Sequence, residues 1–225
     1  MADIGSTFRA LHEAEGAFII PNPWDVGTAK LLAALGFKAL ATTSAGYAFS
    51  RGLPDGGVPF EERMNHCREI AAATPLPVSA DLEHGKGDSP DSAAESIFAA
   101  EAAGLAGCSI EDSTGDSADP IYEFSLAVER VAAAAEAARA LKRDFVFTAR
   151  AENFLWDRPD LDDTIRRLQA FEKAGADVLY APGLSDMEQV RAVCQAVSRP
   201  VNVLATADFT FAGLAEAGVK RISVG

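Results

Sequence analysis

Four charged side chains carry most of the chemistry legible in this chain. Asp81 and Glu83 stand one residue apart in "VSADLEHGKG", at the end of a short apolar run that reads as a strand. A strand's two-residue period would aim both carboxylates to one side, with Leu82 facing the other way. Glu111 closes the next such run, "GCSIED", and Arg150 closes the one after, "FVFTARAE". Hard divalent cations prefer carboxylate oxygens, and Mg²⁺ usually keeps several waters while using few protein carboxylates. Asp81, Glu83 and Glu111 on adjacent strands are therefore expected to reach one ion, directly or through water. Without a cation, three clustered carboxylates would repel one another and raise each other's pKa; the plainer reading is a solvated acidic rim. Arg150 offers a planar fork to a carboxylate or phosphonate, or else a structural salt bridge to a neighbour such as Glu152. In "TSAGY", Ser44, Ala45 and Gly46 read as a tight turn whose N–H groups and hydroxyl could hold an anion.

These residues need a scaffold that gathers strand ends, and the chain alternates accordingly. The runs "AFIIPN", "KALATTS", "PVSADLE", "GCSIED", "FVFTARAE", "DVLYAPG", "VNVLA" and "RISVG" read as strands. Between them lie alanine-rich helical stretches such as 91–103 and 123–141. Asp25, Asp91, Asp162 and Ser185 are candidate N-caps, and Gly36, Gly104, Gly175 and Gly218 fit the position where a helix stops before a strand. Ordered βα units predict an α/β protein, a TIM (β/α)8 barrel, with a doubly wound open sheet as the lesser alternative. No linker or low-complexity tract interrupts residues 1–225, so one barrel domain is expected. The last run, "RISVG", is followed by no eighth helix. In such a barrel the active site lies at the C-terminal strand ends. Polar residues collect there: Trp24 in "NPWD", the Ser44 turn, the carboxylates, Arg150, and Asn202 on the seventh strand. Trp24 could line the pocket or pack the barrel mouth, and Asn202 could orient a substrate oxygen.

Bulk properties narrow the partners. The 225 residues carry a net charge of −13, which argues against nucleic acid or an anionic membrane. An acidic small molecule would need a local positive centre. The start "MADIGSTFRALHEAEG" lacks the apolar core of a signal peptide, and no run approaches the roughly 20 apolar residues of a membrane span. Three cysteines without metal-type spacing fit a reducing, cytoplasmic setting.

"PNPWD", "TTSAGYAFSRGLPD", "SADLEHGKGD", "GCSIEDS", "TARAE" and "AGADVLYAPG" together resemble the isocitrate lyase and phosphoenolpyruvate mutase superfamily, in order from about residue 18 onward. The resemblance implies a TIM barrel that forms dimers or tetramers by exchanging its eighth helix. It implies Mg²⁺ (or Mn²⁺) at Asp81, Glu83 and Glu111, with Asp55 of "GLPD" nearby as a second catalytic residue beside Arg150. It also implies that Ser44, Ala45 and Gly46, with Arg150, bind the oxygens of a small 2-oxo acid. Members make or break C–C or P–C bonds through a pyruvate-type enolate. This chain departs from the pattern at Glu83, where aspartate is usual, and at Lys86, where an aromatic is usual. After strand four, "STGDSADPIYEF" has no cysteine, histidine or lysine to serve as acid. The expectation is therefore a Mg²⁺-dependent lyase of a 2-oxo or 2-hydroxy (di)carboxylate, for example by oxaloacetate-type decarboxylation. P–C chemistry on a phosphonopyruvate-like substrate is the first alternative, and a non-catalytic carboxylate-binding barrel the second.

Overall fold

A computed structural model describes residues 3–225. The expected strands all form: β1 (Phe18–Ile20), β2 (Leu40–Ala41), β3 (Val78–Asp81), β4 (Gly107–Glu111), β5 (Val146–Arg150), β6 (Val178–Tyr180), β7 (Val201–Leu204) and β8 (Arg221–Ser223). They pair in parallel in one eight-stranded sheet whose order follows the chain from β2 to β8 and then returns to β1. A doubly wound sheet would reverse its order at a switch point; this one curls round instead. Where β1 and β2 meet, the Ala41 N–H donates to the Pro21 carbonyl at 3.0 Å. The architecture is a nearly closed TIM-type barrel.

The connecting helices are α2 (Val26–Ala34), α3 (Ser44–Ser50), α4 (Phe60–Ala73), α5 (Pro90–Ala102), α6 (Phe124–Ala140), α7 (Leu161–Ala174), α8 (Met187–Ala196) and α9 (Phe211–Glu216). Asp25 caps α2 in a reciprocal capping box with Thr28, as expected. The other three helices are capped one or two residues away from the expected positions. Ser89 caps α5 ahead of Pro90, Asp160 caps α7, and Asp186 caps α8. In each case several oxygen-bearing residues are adjacent, and only the one with extended backbone can turn its oxygen onto the first free N–H groups. The four helix-stopping glycines all have positive φ, Gly175 at 108°, a conformation that costs a side-chain-bearing residue dearly.

The principal core lies between the outer faces of the strands and the helices. It includes Cys108 and Ile110 of β4, Phe147 of β5 and Leu179 of β6, packed on Ile97, Val131 and Phe171. A further helix, α1 (Ile4–Glu13), closes the N-terminal end of the barrel. Phe8 packs there with Ile20, Val146 and Val178. Gly5 lies so close to the Asp144 carbonyl that an added Cβ would come within 1.7 Å of it. Arg9 fastens the helix to Asp144 (2.7 Å) and Asp177 (2.9 Å).

His12 of α1 is buried between the rings of Phe8 and Phe18. Burial first, then the positive charges of Arg221, Arg9 and Lys220, push its pKa down to about 3 from its ordinary 6.5. The native state therefore binds the imidazole neutral, while the unfolded chain takes up a proton below about 6.5. The stability held above that pH is lost as pH falls from 6.5 toward 3. Urea unfolding should show His12 contributing a slope on the order of 1.4 kcal/mol per pH unit in that window. His12→Gln should flatten the slope relative to the parent chain; an unchanged slope would contradict the assignment.

Candidate active site

Arg150 ends β5 pointing into the barrel mouth, and three carboxylates converge on its fork. Nη1 meets Asp81 at 2.9 Å, Nη2 meets Glu111 at 3.3 Å, and Nε meets Glu152 at 2.9 Å. Strand register makes this cluster: Glu111 pairs across from Arg150, and Asp81 lies on the far side of β4. The Arg150 guanidinium also lies 5.0 Å from the Tyr180 ring. The salt bridge to Glu152, one of the two readings from the sequence, is present, and Arg150 also borders open cavity.

Around this hub the carboxylates differ in how readily they ionise. Burial opposes ionisation of Asp81, but Arg150 and hydrogen bonds from Ser44 and the Glu83 N–H outweigh it and hold its pKa below the usual range. Glu83 and Glu152 are both pushed up to about 7 by burial, despite Arg63 and Arg150 respectively. Glu111 rises well above the ordinary glutamate value through burial and the charge of Glu152.

The route by which Glu83 reaches the site differs from expectation. β3 ends at Asp81, and the backbone turns left-handed at Glu83, with φ of 53°. Strand alternation therefore does not align Asp81 with Glu83; the turn does the placing. Arg63 of α4 grips the Glu83 carboxylate and donates to the carbonyls of Leu82 (2.9 Å) and Val58 (3.1 Å). Among the described residues no three acidic, histidine or cysteine groups converge closely enough to ligate one ion directly. The physical reason is that Arg150 stands between Asp81 and Glu111, while Arg63 draws Glu83 aside.

Two cavities meet at the hub. One, of about 220 Å³, runs into the barrel past Asp81, Arg150, Tyr180, Asn202 and Ser223. The other, of about 530 Å³, lies above it between Glu83, His84, Glu111, Glu152 and the β4–α6 loop. Ser44, Asp55 and Arg150 border both. Ser44, Ala45 and Gly46 do not form the expected tight turn; they begin α3, capped by Thr43. Ser44 commits its N–H (3.2 Å) and hydroxyl (3.0 Å) to Asp81. Trp24 borders neither cavity. It is 42% exposed and lies over Gly46, where an added Cβ would come within 2.3 Å of the indole nitrogen. Asn202 lines the inner cavity but spends its amide on Arg221 (2.8 Å) and Ser223 (3.1 Å). Lys86 turns outward to Glu95 at 2.6 Å.

The loop after β4 is closed on itself. Ser113 bridges to Ile121, and the Thr114 N–H donates to the Pro120 carbonyl at 2.9 Å. Its Ser113, Thr114 and Gly115 roof the larger cavity, and Trp156 donates to the Ser113 hydroxyl at 3.1 Å. Asp112, on the outward side of β4, accepts from the Glu152 N–H at 2.8 Å and from Arg167 at 3.1 Å. It thereby sets the chain that carries Glu152 beside Arg150. Arg63 and Arg167 had no signal in the sequence, because each reaches inward from a helix whose other residues look like an ordinary amphipathic face.

The molecule is a TIM-type barrel with an acidic cluster wrapped round a guanidinium at its mouth. Residues 8–225 match the family model for phosphoenolpyruvate phosphomutase, and the chain belongs to that family, within the isocitrate lyase and phosphoenolpyruvate mutase superfamily of lyases. A protein of Burkholderia cenocepacia provisionally assigned as a lyase/mutase superposes with a TM-score of 0.97. It is 56% identical, over 100% of this chain and 81% of its own. The 2-methylisocitrate lyase of Escherichia coli is 29% identical over 88% of this chain and 68% of its own. A phosphonopyruvate hydrolase solved with oxalate and Mg²⁺ shares the fold, with 24% identity and a TM-score of 0.89 over 99% of this chain and 80% of its own.

Arg167→Met should leave Asp112 as a buried charge with no counter-ion. An expected loss on the order of 3–5 kcal/mol of stability follows, measurable by chemical denaturation. A loss below about 1 kcal/mol, the range of exposed pairs, would show the network to be dispensable.

Proposed function

We propose that this protein is a Mg²⁺-dependent lyase that cleaves the C–C bond next to the carbonyl of a small 2-oxo or 2-hydroxy (di)carboxylate, with oxaloacetate-type decarboxylation as the leading case. The observation that carries the reading is the excess of carboxylate at the mouth. Asp81, Glu83, Glu111 and Glu152 face only Arg150 and Arg63. Hard oxygen donors in excess of their counter-charge suit a divalent cation, with water filling the separation that the two arginines impose. Asp81, Glu83 and Glu111 would hold Mg²⁺, or Mn²⁺ in its place, and the ion would act as a Lewis acid toward the carbonyl and carboxylate oxygens of the substrate.

The remaining work falls to the chain itself. Arg150 supplies fixed positive potential where negative charge develops. Ser44 holds Asp81 in place, and Ala45, at the start of α3, presents its backbone to the substrate's carboxylate, while Gly46, whose N–H goes to the Thr43 cap, sets the turn of the helix. Trp24 supports that backbone from behind. Asp55, poised on the border of both cavities, is the group best placed to exchange a proton with the substrate. The β4–α6 loop brings no lysine or arginine, which disfavours P–C chemistry on a phosphonate. It brings no dedicated acid either, which suits a decarboxylation whose product can be protonated from solvent. The unpaired cysteines among the described residues fit a reducing cytoplasm. Exposed Leu31, Leu35 and Phe49 fit a homo-oligomer, a dimer or a tetramer.

Oxaloacetate turnover should require Mg²⁺ and disappear with a chelator. Asp81→Ala and Arg150→Lys should each lower kcat by about 100-fold or more, with circular dichroism and elution volume unchanged. Rates indifferent to both substitutions and to chelation would refute the lyase reading. Tight oxalate binding without turnover of any 2-oxo acid would favour the carboxylate-binding barrel, and turnover of phosphonopyruvate alone would favour P–C chemistry.

A further inference from the structure

β8 opens with an arginine that no carboxylate among the described residues answers. Arg221 is 5% exposed, and neutral groups alone hold its guanidinium. Nε donates to Asn202 Oδ1 at 2.8 Å, Nη2 donates to Thr148 Oγ1 at 3.1 Å, and Nη1 lies 3.4 Å from His12 Nε2. A guanidinium has more N–H groups than these three contacts use, and it cannot shed its proton to escape the cost of burial. The other deeply buried arginines are better served. Arg63, Arg150 and Arg167 each face carboxylates, and Arg130 donates to the carbonyls of His84, Gly87 and Ser89 and lies over the Tyr122 ring.

Register explains where this charge points. Arg150 pairs with Tyr180, Tyr180 with Asn202, and Asn202 with Arg221. Paired residues of parallel strands face the same way, so these four form one inward row across β5, β6, β7 and β8. All four border the same inner cavity of about 220 Å³. The row begins at the end of β5 and finishes at the start of β8, so strand tilt sets Arg221 deeper in the barrel than Arg150. A polar passage thus runs from one guanidinium at the mouth to a second inside, with no acidic side chain at the inner end.

We propose that Arg221, oriented by Asn202 and Thr148, is an inner recognition point for a carboxylate, so that the barrel takes a dicarboxylate with one end at the mouth and the other at Arg221. This deepens the lyase reading and rests on it for the mouth end. It makes Arg221 the residue that separates dicarboxylates from monocarboxylates, and the repulsion between two like charges facing one cavity becomes attraction for the anion lying between them.

The inner site is tested first without metal, using formate as a bare carboxylate. Formate should raise the melting temperature of the parent protein but not of Arg221→Met. Asn202→Asp keeps the arginine and gives it an internal counter-ion, so formate stabilisation should vanish there too; that variant carries the test if Arg221→Met fails to fold. No stabilisation of the parent, or equal stabilisation of all three, overturns the proposal. With Mg²⁺ present, calorimetry then compares malate with lactate, which differ by the distal carboxylate. Malate should bind the parent at least about tenfold more tightly than lactate, the preference should collapse in the variants, and oxalate affinity should stay within about twofold. A malate preference that survives in the variants overturns the assignment even if formate binds. Failure of oxalate to bind the parent with Mg²⁺ tells instead against the lyase reading, and the formate result still judges Arg221.

Discussion

The mouth of this barrel is organised by the guanidinium of Arg150. Its planar fork satisfies Asp81, Glu111 and Glu152 at once, and no other side chain could do so. Lysine offers a point charge, and histidine would add a titrating group. Removing Arg150 would leave three buried carboxylates whose mutual repulsion the surrounding apolar core could not screen. The fold around it follows from this demand. β3, β4 and β5 must lie side by side, their last residues must face inward together, and the chain after β5 must double back so that Glu152 reaches Nε. Asp112 and Arg167 enforce that last condition from outside the barrel.

Inside, the barrel is unusually polar. The inward positions include Ser79, Ser109, Thr148, Tyr180, Asn202, Arg221 and Ser223, where such barrels commonly stack branched apolar residues. Small and hydroxyl-bearing side chains leave a passage below the hub, and α1 closes its floor with Phe8 and His12. The chain combines a large negative charge with one buried guanidinium, Arg221, that has no acidic partner among the described residues. Global repulsion and local attraction of this kind favour small acidic ligands that can reach the mouth over larger polyanions that would meet only the surface.

Particular residues show how far local patterns carried the reading. The strands were legible because β-rich runs ending in polar clusters alternate with alanine-rich stretches, and the helix-stopping glycines punctuate them. Asp81, Glu111 and Arg150 were legible as strand-end residues and are found together. Glu83 was expected in the right place by the wrong route, since its left-handed backbone is set by the turn into Gly85 and the pull of Arg63, neither visible as a pattern. Trp24 was open to lining the pocket or packing the barrel mouth, and packing is what is found: its indole braces Gly46, a choice set by tertiary contact. α1 and Lys86 show the same limit: what a helix closes, and which way a long side chain turns, depend on neighbours far away in the chain.

The sequence by itself determined the order of βα units, the chemical types gathered at the strand ends and the lack of cysteine, histidine and lysine in the loop after β4. These are properties of composition and period, which local physics reads directly. Tertiary structure alone decided that one arginine would bridge three carboxylates, that Arg63 would take Glu83, and that Arg221 would stand inside the barrel without a counter-ion among the described residues. Those outcomes depend on strand register and tilt, which bring side chains from distant segments to one point and set the charge each of them can bear.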